Sequence, residues 1–409
     1  MGRELLEELF REYYRRNAGR VRAPSRLEAR EFGFILFNRQ GMVRHLSFGS
    51  EAELREYLRR QAPAHAYYSS AYYERPSAPT MDEKGWLGAD LVFDIDVDHI
   101  ETKCKELHDS WRCLDCGLAG RGMCPAKCPG CGGERFEREV WVCDLCVEAA
   151  KEEALKVCDV LLDEFGLSED EIKLAFSGHR GFHIHVESEV VRGLEQDARR
   201  EIVDYLTGLG LDYATLGYSK GRRLVLDVDL REGGWRGRVA RSLYDLVLSC
   251  SEEELVRVGL SRREAAYVVS KRSEILASAE RMPSSWMPLL GLSGRGLRAL
   301  LRRAIELASC RVDERVTIDT RRLIRLPETL HGKTGFRAVE LSYGELESFT
   351  IRDAFAFSPS RVALVRARRL PRRVADYEFS KRSGEVEVPL PIALYLVGNS
   401  SEVEVVRLS

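Results

Sequence analysis

The sequence predicts an α+β protein in which a cysteine-rich insertion and a largely helical subdomain interrupt a mixed core. Alternating strand-like segments and amphipathic helical patterns fill the first 190 residues and return after residue 310. Between them, residues 194–308 are mainly helical in pattern. Nine of the eleven cysteines lie between Cys104 and Cys158, and this clustering places a metal-binding segment inside the core.

The individual elements follow from periodicity and turn signals, taken in chain order. The predicted helices are 2–17, 51–61, 147–165, 194–208, 239–249, 252–257, 261–280 and 294–308. The predicted strands are 32–37, 42–48, 90–98, 172–176, 182–187, 322–326 and 336–341. The first two strands form a hairpin around Gln40-Gly41, and we interpret the glycine-rich stretch 232–238 as a mobile loop.

Charge is balanced over the whole chain but clustered locally. The sequence has 63 Lys and Arg against 65 Asp and Glu, a net charge of −2, so it is not a generally basic polyanion binder. Residues 361–373 nevertheless carry six Arg and no acid, and residues 295–325 carry nine Arg. Such patches predict local contacts with nucleic acid. Only six Asn and Gln residues occur, a depletion typical of thermophiles.

The sequence contains no pattern of a membrane protein. No stretch approaches the ~18 uncharged apolar residues of a transmembrane helix. The N-terminal segment is a charged amphipathic pattern rather than a signal peptide. We therefore expect a cytoplasmic protein without membrane contact.

Four cysteines have the spacing of a zinc ribbon. Cys113-x2-Cys116 and Cys128-x2-Cys131 are separated by eleven residues. Each pair is followed by glycine, which permits the tight turn that presents two thiolates to one ion. Four thiolates close a tetrahedral site with no open position, so this zinc would be structural.

A second candidate zinc site brackets the ribbon. Cys104-x3-His108 precedes it and Cys143-x2-Cys146 follows it, so a Cys3His site would enclose the ribbon as an excursion. We favour this nested arrangement because the ribbon motif is complete by itself. One to two zinc ions are expected. In the alternative pairing the two sets are Cys104, His108, Cys113 and Cys116, and Cys128, Cys131, Cys143 and Cys146.

The segment 90–98, DLVFDIDVD, alternates between acidic and apolar residues. On a strand, Asp94, Asp96 and Asp98 would share one face, about 7 Å apart along the chain. Carboxylates at this spacing can hold one or two Mg²⁺ ions between protein and phosphates. The alternative is a solvated face of an edge strand.

Two glycine-containing turns carry basic groups. Residues 177–185, SGHRGFHIH, place a His-Arg pair between two glycines, where N–H groups and a guanidinium can converge on an anion. The alternatives are a plain turn, core histidines, or metal ligation by His183 and His185. Residues 331–335, HGKTG, form a second candidate anion-binding turn, which is not a Walker A loop.

Taken in chain order, the sequence motifs resemble those of the small catalytic subunit of archaeal and eukaryotic DNA primase. The blocks that carry the resemblance are Arg30-Glu31-Phe32…Arg44, LVFDIDVDH, SGHRGFHIHV and VDERVTIDTRRLIRLPETLHGKTG. The resemblance implies a prim-type α/β catalytic fold with a zinc-binding insertion and a helical subdomain. The implied divisions are a catalytic core at 1–100, 147–190 and 310–350, the insertion with its nested ribbon at 101–146, the helical subdomain at 191–309, and a C-terminal part of the catalytic domain at 351–409.

The resemblance also assigns roles to residues. The catalytic metal-binding carboxylates would be Asp94, Asp96 and Asp313; Asp313 is preferred to Asp319 because it lies eighteen residues before His331. Position 179 is His where some family members have Arg. The implied nucleotide-binding residues are Ser177, His179, Arg180, His183, Arg325, His331 and Arg44.

The implied activity is synthesis of short RNA or DNA primers on a single-stranded DNA template in DNA replication. One Mg²⁺ or Mn²⁺ ion would activate a 3′-hydroxyl and a second would bind the NTP or dNTP, so no side-chain nucleophile is needed. The implied partners are a large primase subunit in a heterodimer and other replication proteins, at the nucleoid of an archaeal cell. The competing hypotheses are a stand-alone repair primase-polymerase, a non-catalytic zinc-ribbon subunit that binds nucleic acid, and a metal-dependent nuclease.

Overall fold

The computed structural model describes residues 2–100, 102–221, 223–400 and 402–409. Contacts divide the chain into two compact units. The first comprises Met1–Cys158, Ser168–Arg200 and Val312–Ser409, and the second comprises Asp159–Leu167 and Glu201–Arg311.

The chain alternates between helices and short strands. The helices are α1 (Gly2–Asn17), α2 (Glu51–Gln61), α3 (Lys105–His108), α4 (Asp144–Asp163), α5 (Glu189–Arg192), α6 (Gln196–Thr207), α7 (Gly234–Ser249), α8 (Glu252–Val258), α9 (Arg262–Ser270), α10 (Arg272–Ala279), α11 (Gly294–Ala308), α12 (Glu314–Ile318), α13 (Tyr343–Ser348) and α14 (Leu390–Asn399). The strands are β1 (Phe32–Ile35), β2 (Met42–Leu46), β3 (His65–Ser69), β4 (Ala71–Tyr73), β5 (Trp86–Ala89), β6 (Leu91–Asp96), β7 (Ser110–Cys113), β8 (Ala119–Arg121), β9 (Phe136–Glu139), β10 (Ile172–Phe176), β11 (Gly181–Val186), β12 (Gly217–Lys220), β13 (Arg223–Leu226), β14 (Leu323–Arg325), β15 (Val339–Leu341), β16 (Val362–Ala367), β17 (Arg373–Val374), β18 (Tyr377–Glu378), β19 (Gly384–Pro389) and β20 (Val403–Leu408).

Two antiparallel sheets position the candidate site in the first unit. One has the strand order β2–β1–β3–β14, and the other has the order β6–β11–β10–β15. The first sheet packs on α1 and α2 through buried aromatic residues that include Phe10, Phe32 and Phe34. In the second sheet, Phe93 and Ile95 are buried while Asp94 and Asp96 are half-buried. The alternation of DLVFDID therefore separates a core face from a polar face, as predicted.

Smaller sheets complete the first unit. Strands β8–β7–β9 form a sheet within the cysteine-rich insertion, and β19–β16–β20 form a sheet near the C-terminus. Helix α14 is apolar on nearly all sides and is buried from Leu390 to Leu396. In the part of the chain that the structure describes, no helix is long and apolar enough to cross a membrane.

The second unit is mainly helical, with a hairpin formed by β12 and β13. Its core contains Leu243 and Val247 of α7 and Leu300 and Leu301 of α11. The α11 sequence has these apolar residues at helical spacing, and Ser293 begins the helix by accepting a hydrogen bond from Gly296 N–H at 3.1 Å. The charged residues of α11 are left on its other faces.

Most predicted elements are confirmed, and three are corrected. The strand predicted at 90–98 ends at Asp96, because the Asp96 side chain accepts the Asp98 N–H at 2.8 Å and a 3₁₀ turn follows. Asp98 therefore does not continue the strand face of Asp94 and Asp96. The helix predicted at 261–280 is broken at Lys271, which separates α9 from α10. The loop predicted at 232–238 is helical from Gly234 onward.

Candidate active site and metal-binding clusters

Two carboxylates lie on β6 opposite the strand that follows the SGHRG turn. In the register of β6 and β11, Asp94 faces His183 and Asp96 faces Gly181. The Asp94 Oδ1 atom is 3.5 Å from His183 Nε2. A Cβ atom at position 181 would lie 1.9 Å from the Ile95 carbonyl oxygen. Only glycine therefore allows the turn to approach the acidic strand this closely.

The carboxylates concentrate negative charge where water is scarce. Burial, and then the neighbouring Asp98 carboxylate, raise the pKa of Asp96 above its ordinary value. A divalent cation would offset both effects, and oxygen ligands suit Mg²⁺ or Mn²⁺. The donor set at Asp94 and Asp96 thus fits the expected metal.

Asp313 joins these residues through the backbone. Its N–H donates to the Asp94 carbonyl oxygen at 2.9 Å. Its side chain caps α12 and accepts the Arg315 N–H at 2.9 Å. Among the described residues, Asp94, Asp96 and Asp313 do not form a group whose ligand atoms all lie within 4.8 Å of one another. The Asp313 main chain thus contacts β6 directly.

Basic and imidazole groups form the opposite side of the site. Ser177 Oγ accepts the N–H groups of His179 and Gly181, both at 3.3 Å, and so shapes the SGHRG turn. Thr334 Oγ1 donates to the Gly178 carbonyl oxygen at 2.6 Å, which fastens the HGKTG turn onto the SGHRG turn. The rings of His179 and His331 stack with centroids 4.8 Å apart as a result.

These histidines are held neutral. Burial, followed by the charges of Arg180 and Lys333, lowers the pKa of His179 to about 3. Burial also lowers the pKa of His183 to about 4, and it holds the pKa of His331 well below the ordinary value. At neutral pH the imidazoles are therefore hydrogen-bonding groups that can gain a proton when an anion approaches.

Arg325 brings a buried positive charge to the site. Its side chain lies over the Tyr67 ring, with the guanidinium carbon 4.7 Å from the ring centroid. Its Nη2 donates to the Tyr67 hydroxyl at 3.0 Å, while Nη1 has no hydrogen-bond partner among the described residues. Burial lowers the pKa of Arg325. It makes no ion pair with the residues that the structure describes.

Carboxylates, imidazoles and guanidinium meet in one cavity of about 180 Å³. Most predicted site residues line it: Asp94, Asp96, Ser177, His179, His183, Arg325 and His331. Sequence reasoning missed the lining residues Tyr67, Val316, Arg322, Leu323 and Ile324. Tyr67 lies opposite Arg325 in the register of β3 and β14, a pairing that no local motif reveals. Arg322 stands in the same Arg-rich segment as Arg325, so its charge was the available signal.

Two predicted nucleotide-binding residues are engaged elsewhere and do not line this cavity. Arg44 contacts the buried Glu31 carboxylate, with Nε to Oε1 at 3.0 Å and Nη2 to Oε2 at 3.3 Å. Arg180 is fully buried, with Nη1 3.0 Å from Asp98 Oδ1 and Nη2 3.4 Å from Asp109 Oδ2. Both guanidinium groups therefore already have carboxylate partners.

The cysteine-rich insertion contains two sets of four ligand-type side chains, and within each set the ligand atoms all lie within 4.8 Å of one another. The two sets match the nested arrangement and not the alternative one. Zn–S bonds of ~2.3 Å in a tetrahedron place sulfurs about 3.8 Å apart. The observed Sγ–Sγ distances of 3.4–3.6 Å are close to this value, and His108 Nε2 is 3.3 Å from Cys146 Sγ. The two sets are Cys104, His108, Cys143 and Cys146, and Cys113, Cys116, Cys128 and Cys131.

Asp109 connects the Cys3His cluster to the SGHRG turn. Its Oδ1 is 2.7 Å from His108 Nδ1 and accepts the Trp141 N–H at 3.1 Å. Its Oδ2 is 3.4 Å from Arg180 Nη2. A carboxylate that holds the second nitrogen of a metal-ligating His fixes the ring orientation. The cluster is thus tied to the turn that lines the cavity.

The cavity brings carboxylates, imidazoles and a buried guanidinium together. The family model for the DNA primase small subunit matches residues 132–343. Three curated relatives named "DNA primase small subunit PriS" are 35%, 34% and 32% identical, from Methanothrix thermoacetophila, Methanococcoides burtonii and Archaeoglobus fulgidus. Each alignment covers 96% of this chain and 96% of the relative.

The chain belongs to the DNA primase small subunit family. It is therefore a nucleotidyltransferase that acts in DNA replication, as the sequence predicts.

Proposed function

We propose that this chain is the catalytic subunit that synthesises short primers on single-stranded DNA with two Mg²⁺ or Mn²⁺ ions. The observation that carries the proposal is Arg325, a buried guanidinium that has no acidic partner among the described residues, in a cavity that Asp94 and Asp96 also line. Burying an uncompensated charge is costly, so an anionic ligand is the expected partner. A nucleoside triphosphate beside metal-binding carboxylates meets both requirements.

In this proposal the carboxylates and the groups that contact phosphate have different roles in nucleotidyl transfer. Asp94, Asp96 and Asp313 would hold the metal ions, which lower the pKa of the 3′-hydroxyl and stabilise charge on the phosphates. Arg325 would contact the triphosphate and offset the charge that develops on the leaving group. His179 and His331 would donate hydrogen bonds to phosphate oxygens.

The remaining predicted contacts have less direct roles in this proposal. Ser177 shapes the turn through its two backbone contacts, and it brings His179 to the cavity. His183 lies beside Asp94 and would orient that carboxylate. Arg180 and Arg44 would act mainly through their own carboxylate partners.

The two clusters of the insertion have donors that suit zinc, and we propose that each holds one structural Zn²⁺ ion. Cys104, His108, Cys143 and Cys146 would hold one ion, and the ribbon cysteines would hold the other. A large primase subunit is the proposed partner of the chain in a heterodimer. That partner follows from membership of a small-subunit family.

Primer synthesis on single-stranded DNA tests the proposal directly. With Mg²⁺ or Mn²⁺ and labelled NTP or dNTP, the wild-type chain should extend new primers, and Asp94→Asn or Asp96→Asn should abolish synthesis. The matched control is Asp227→Asn, because Asp227 belongs to a similar Asp-x-Asp pattern but is surface-exposed. Degradation of the DNA would indicate a nuclease, and DNA binding without synthesis would indicate a non-catalytic subunit.

A companion experiment separates nucleotide binding from folding at Arg325. Arg325→Met keeps much of the side-chain volume and removes the buried charge. We expect the free energy of unfolding to stay level or rise, as in other replacements of buried charge by apolar groups. The KM for nucleotide should rise about tenfold or more, because a charge-assisted contact contributes about 1.5–3 kcal/mol. A destabilised variant with unchanged KM would contradict the proposed role.

A further inference from the structure

A second, larger groove lies beside the cavity in the same unit. Its volume is about 950 Å³, at the upper end of the ~300–1,000 Å³ typical of ligand sites. One wall is the insertion sheet β8–β7–β9, and the other includes His179 and Lys333. His179 lines both this groove and the candidate active-site cavity.

The insertion side of the groove carries three exposed arginines beside the carboxylates of Glu137 and Glu139. Arg112, Arg121 and Arg138 lie on three neighbouring strands, and all three are exposed. None of them forms an ion pair with a residue of the described ranges, and the same holds for Lys333. By contrast, Arg369 in the same groove is paired with Glu139 at 3.2 Å.

Trp111 gives this wall a rigid aromatic surface. Its half-buried ring lies against Gly120 on β8, where a Cβ atom would come within 2.3 Å of the indole. Phe136 contacts the same ring edge-to-face, with centroids 5.6 Å apart. Arg138 lies directly opposite Trp111 in the register of β7 and β9. Arg112 and Arg121 take the alternate positions of the sheet, so they belong to its other face. The indole is thus fixed next to the exposed Arg138, and the exposed Lys333 lies on the other wall of the groove.

The Arg-rich segment 361–373, by comparison, is largely neutralised in the fold. Arg361, Arg366, Arg368, Arg369 and Arg373 pair with acids from other elements. These partners are Glu12, Glu385, Glu402, Glu139 and Asp144. The insertion sheet is therefore the better candidate for an electrostatic contact with a polyanion.

We propose that this groove binds a single strand of DNA, with Trp111 stacking on a base and Arg138 and Lys333 contacting phosphates. The inference rests on the proposed function, because it takes the strand to be the template of the cavity. An aromatic platform with spaced cations is the chemistry that binds unpaired nucleotides without sequence preference. A duplex would not offer a base face to Trp111, and one free nucleotide would not need cations on both walls of the groove.

Fluorescence anisotropy with a labelled single-stranded oligonucleotide tests the groove. The full zinc-loaded chain is titrated without nucleotide or Mg²⁺, at several salt concentrations. Trp111→Ala should weaken binding about fivefold to a hundredfold, the effect of losing one base–aromatic stack. Trp111→Phe should retain most of the affinity. The double variant Arg138→Ala/Lys333→Ala should reduce the slope of log K against log salt by about 1.4, or ~0.7 per phosphate contact.

The matched control removes two arginines outside the groove. Arg262 and Arg263 are exposed on α9 in the second unit, so Arg262→Ala/Arg263→Ala makes the same charge change elsewhere. We expect it to leave affinity and salt slope near the wild-type values. Wild-type affinity in Arg138→Ala/Lys333→Ala together with a loss in the control would overturn the proposal.

Zinc content is measured for every variant, and it separates a folding defect from a lost contact. If Trp111→Ala releases zinc, its DNA affinity is not used, and the double variant Arg138→Ala/Lys333→Ala alone decides whether the groove binds DNA. If the wild-type chain synthesises primers but the groove variants bind DNA with wild-type affinity, DNA binding by the groove is refuted. The proposed function then stands. Groove-dependent DNA binding without any primer synthesis by the wild-type chain refutes the proposed function instead.

Discussion

Asp109→Asn should destabilise the unit that contains the cavity and weaken metal retention by the Cys3His cluster. Asp109 is buried and contacts both His108 and the fully buried Arg180. Replacing it by Asn preserves size but leaves Arg180 with Asp98 as its remaining carboxylate contact. Breaking a buried ion pair typically costs about 3–5 kcal/mol. Because Asp98 still contacts the guanidinium, we expect the lower end, about 3 kcal/mol.

The structure supplies a matched control on the same arginine. The Asp98 side chain is 55% exposed whereas that of Asp109 is 8% exposed. Solvent screens the Asp98 contact, so Asp98→Asn should cost less than ~1 kcal/mol. Urea unfolding of both variants, loaded with zinc, gives the two free energies.

Metal release gives a second, independent measurement of Asp109. Removing a carboxylate that orients a metal-ligating His typically lowers metal affinity about 10- to 100-fold. Zinc transfer to a chromogenic chelator should therefore be faster or more complete in Asp109→Asn than in Asp98→Asn. Equal unfolding free energies and equal zinc retention in the two variants would refute the proposed link between the cluster and the SGHRG turn.

Three further predictions follow from the site. Asp313→Ala should abolish primer synthesis while Asp319→Ala retains it, and the reverse result in the same assay would move the third carboxylate to Asp319. Elemental analysis of the purified chain should find two zinc ions, and one ion would reject the pair of four-ligand sites. Nucleotide binding near pH 6 should take up protons, because a triphosphate would raise the depressed pKa values of His179 and His331. Calorimetry in buffers of different ionisation enthalpy measures this proton uptake. No uptake is expected if the imidazoles stay neutral.

Local sequence patterns were sufficient for the parts of the site that are built from adjacent residues. The Cys-x2-Cys pairs predicted two ligand groups because each turn brings its own thiolates together. The alternation around Asp94 and Asp96 predicted a strand with one polar face, and the turn after Ser177 predicted the next two strands. These features depend on backbone geometry within a few residues.

Contacts between distant segments could not be predicted in the same way. Arg180 meets Asp109 across 71 positions of the chain, and Arg325 meets Tyr67 across 258. Before the fold is known, a basic residue in a motif cannot be distinguished from one that already has a carboxylate partner. The segment 361–373 has no acid of its own, yet most of its arginines are ion-paired in the structure.

Comparison of the buried arginines identifies the position at which a ligand is needed. Arg30 contacts Asp90 at 2.6 Å and donates to several carbonyl oxygens, while Arg199 donates to three carbonyl oxygens. Arg180 has two carboxylates within 3.4 Å. Among the described residues, Arg325 donates a hydrogen bond to the Tyr67 hydroxyl, and its Nη1 faces no acceptor. Since a buried charge without a counter-charge is costly, the fold retains Arg325 at a cost that an anionic substrate would offset.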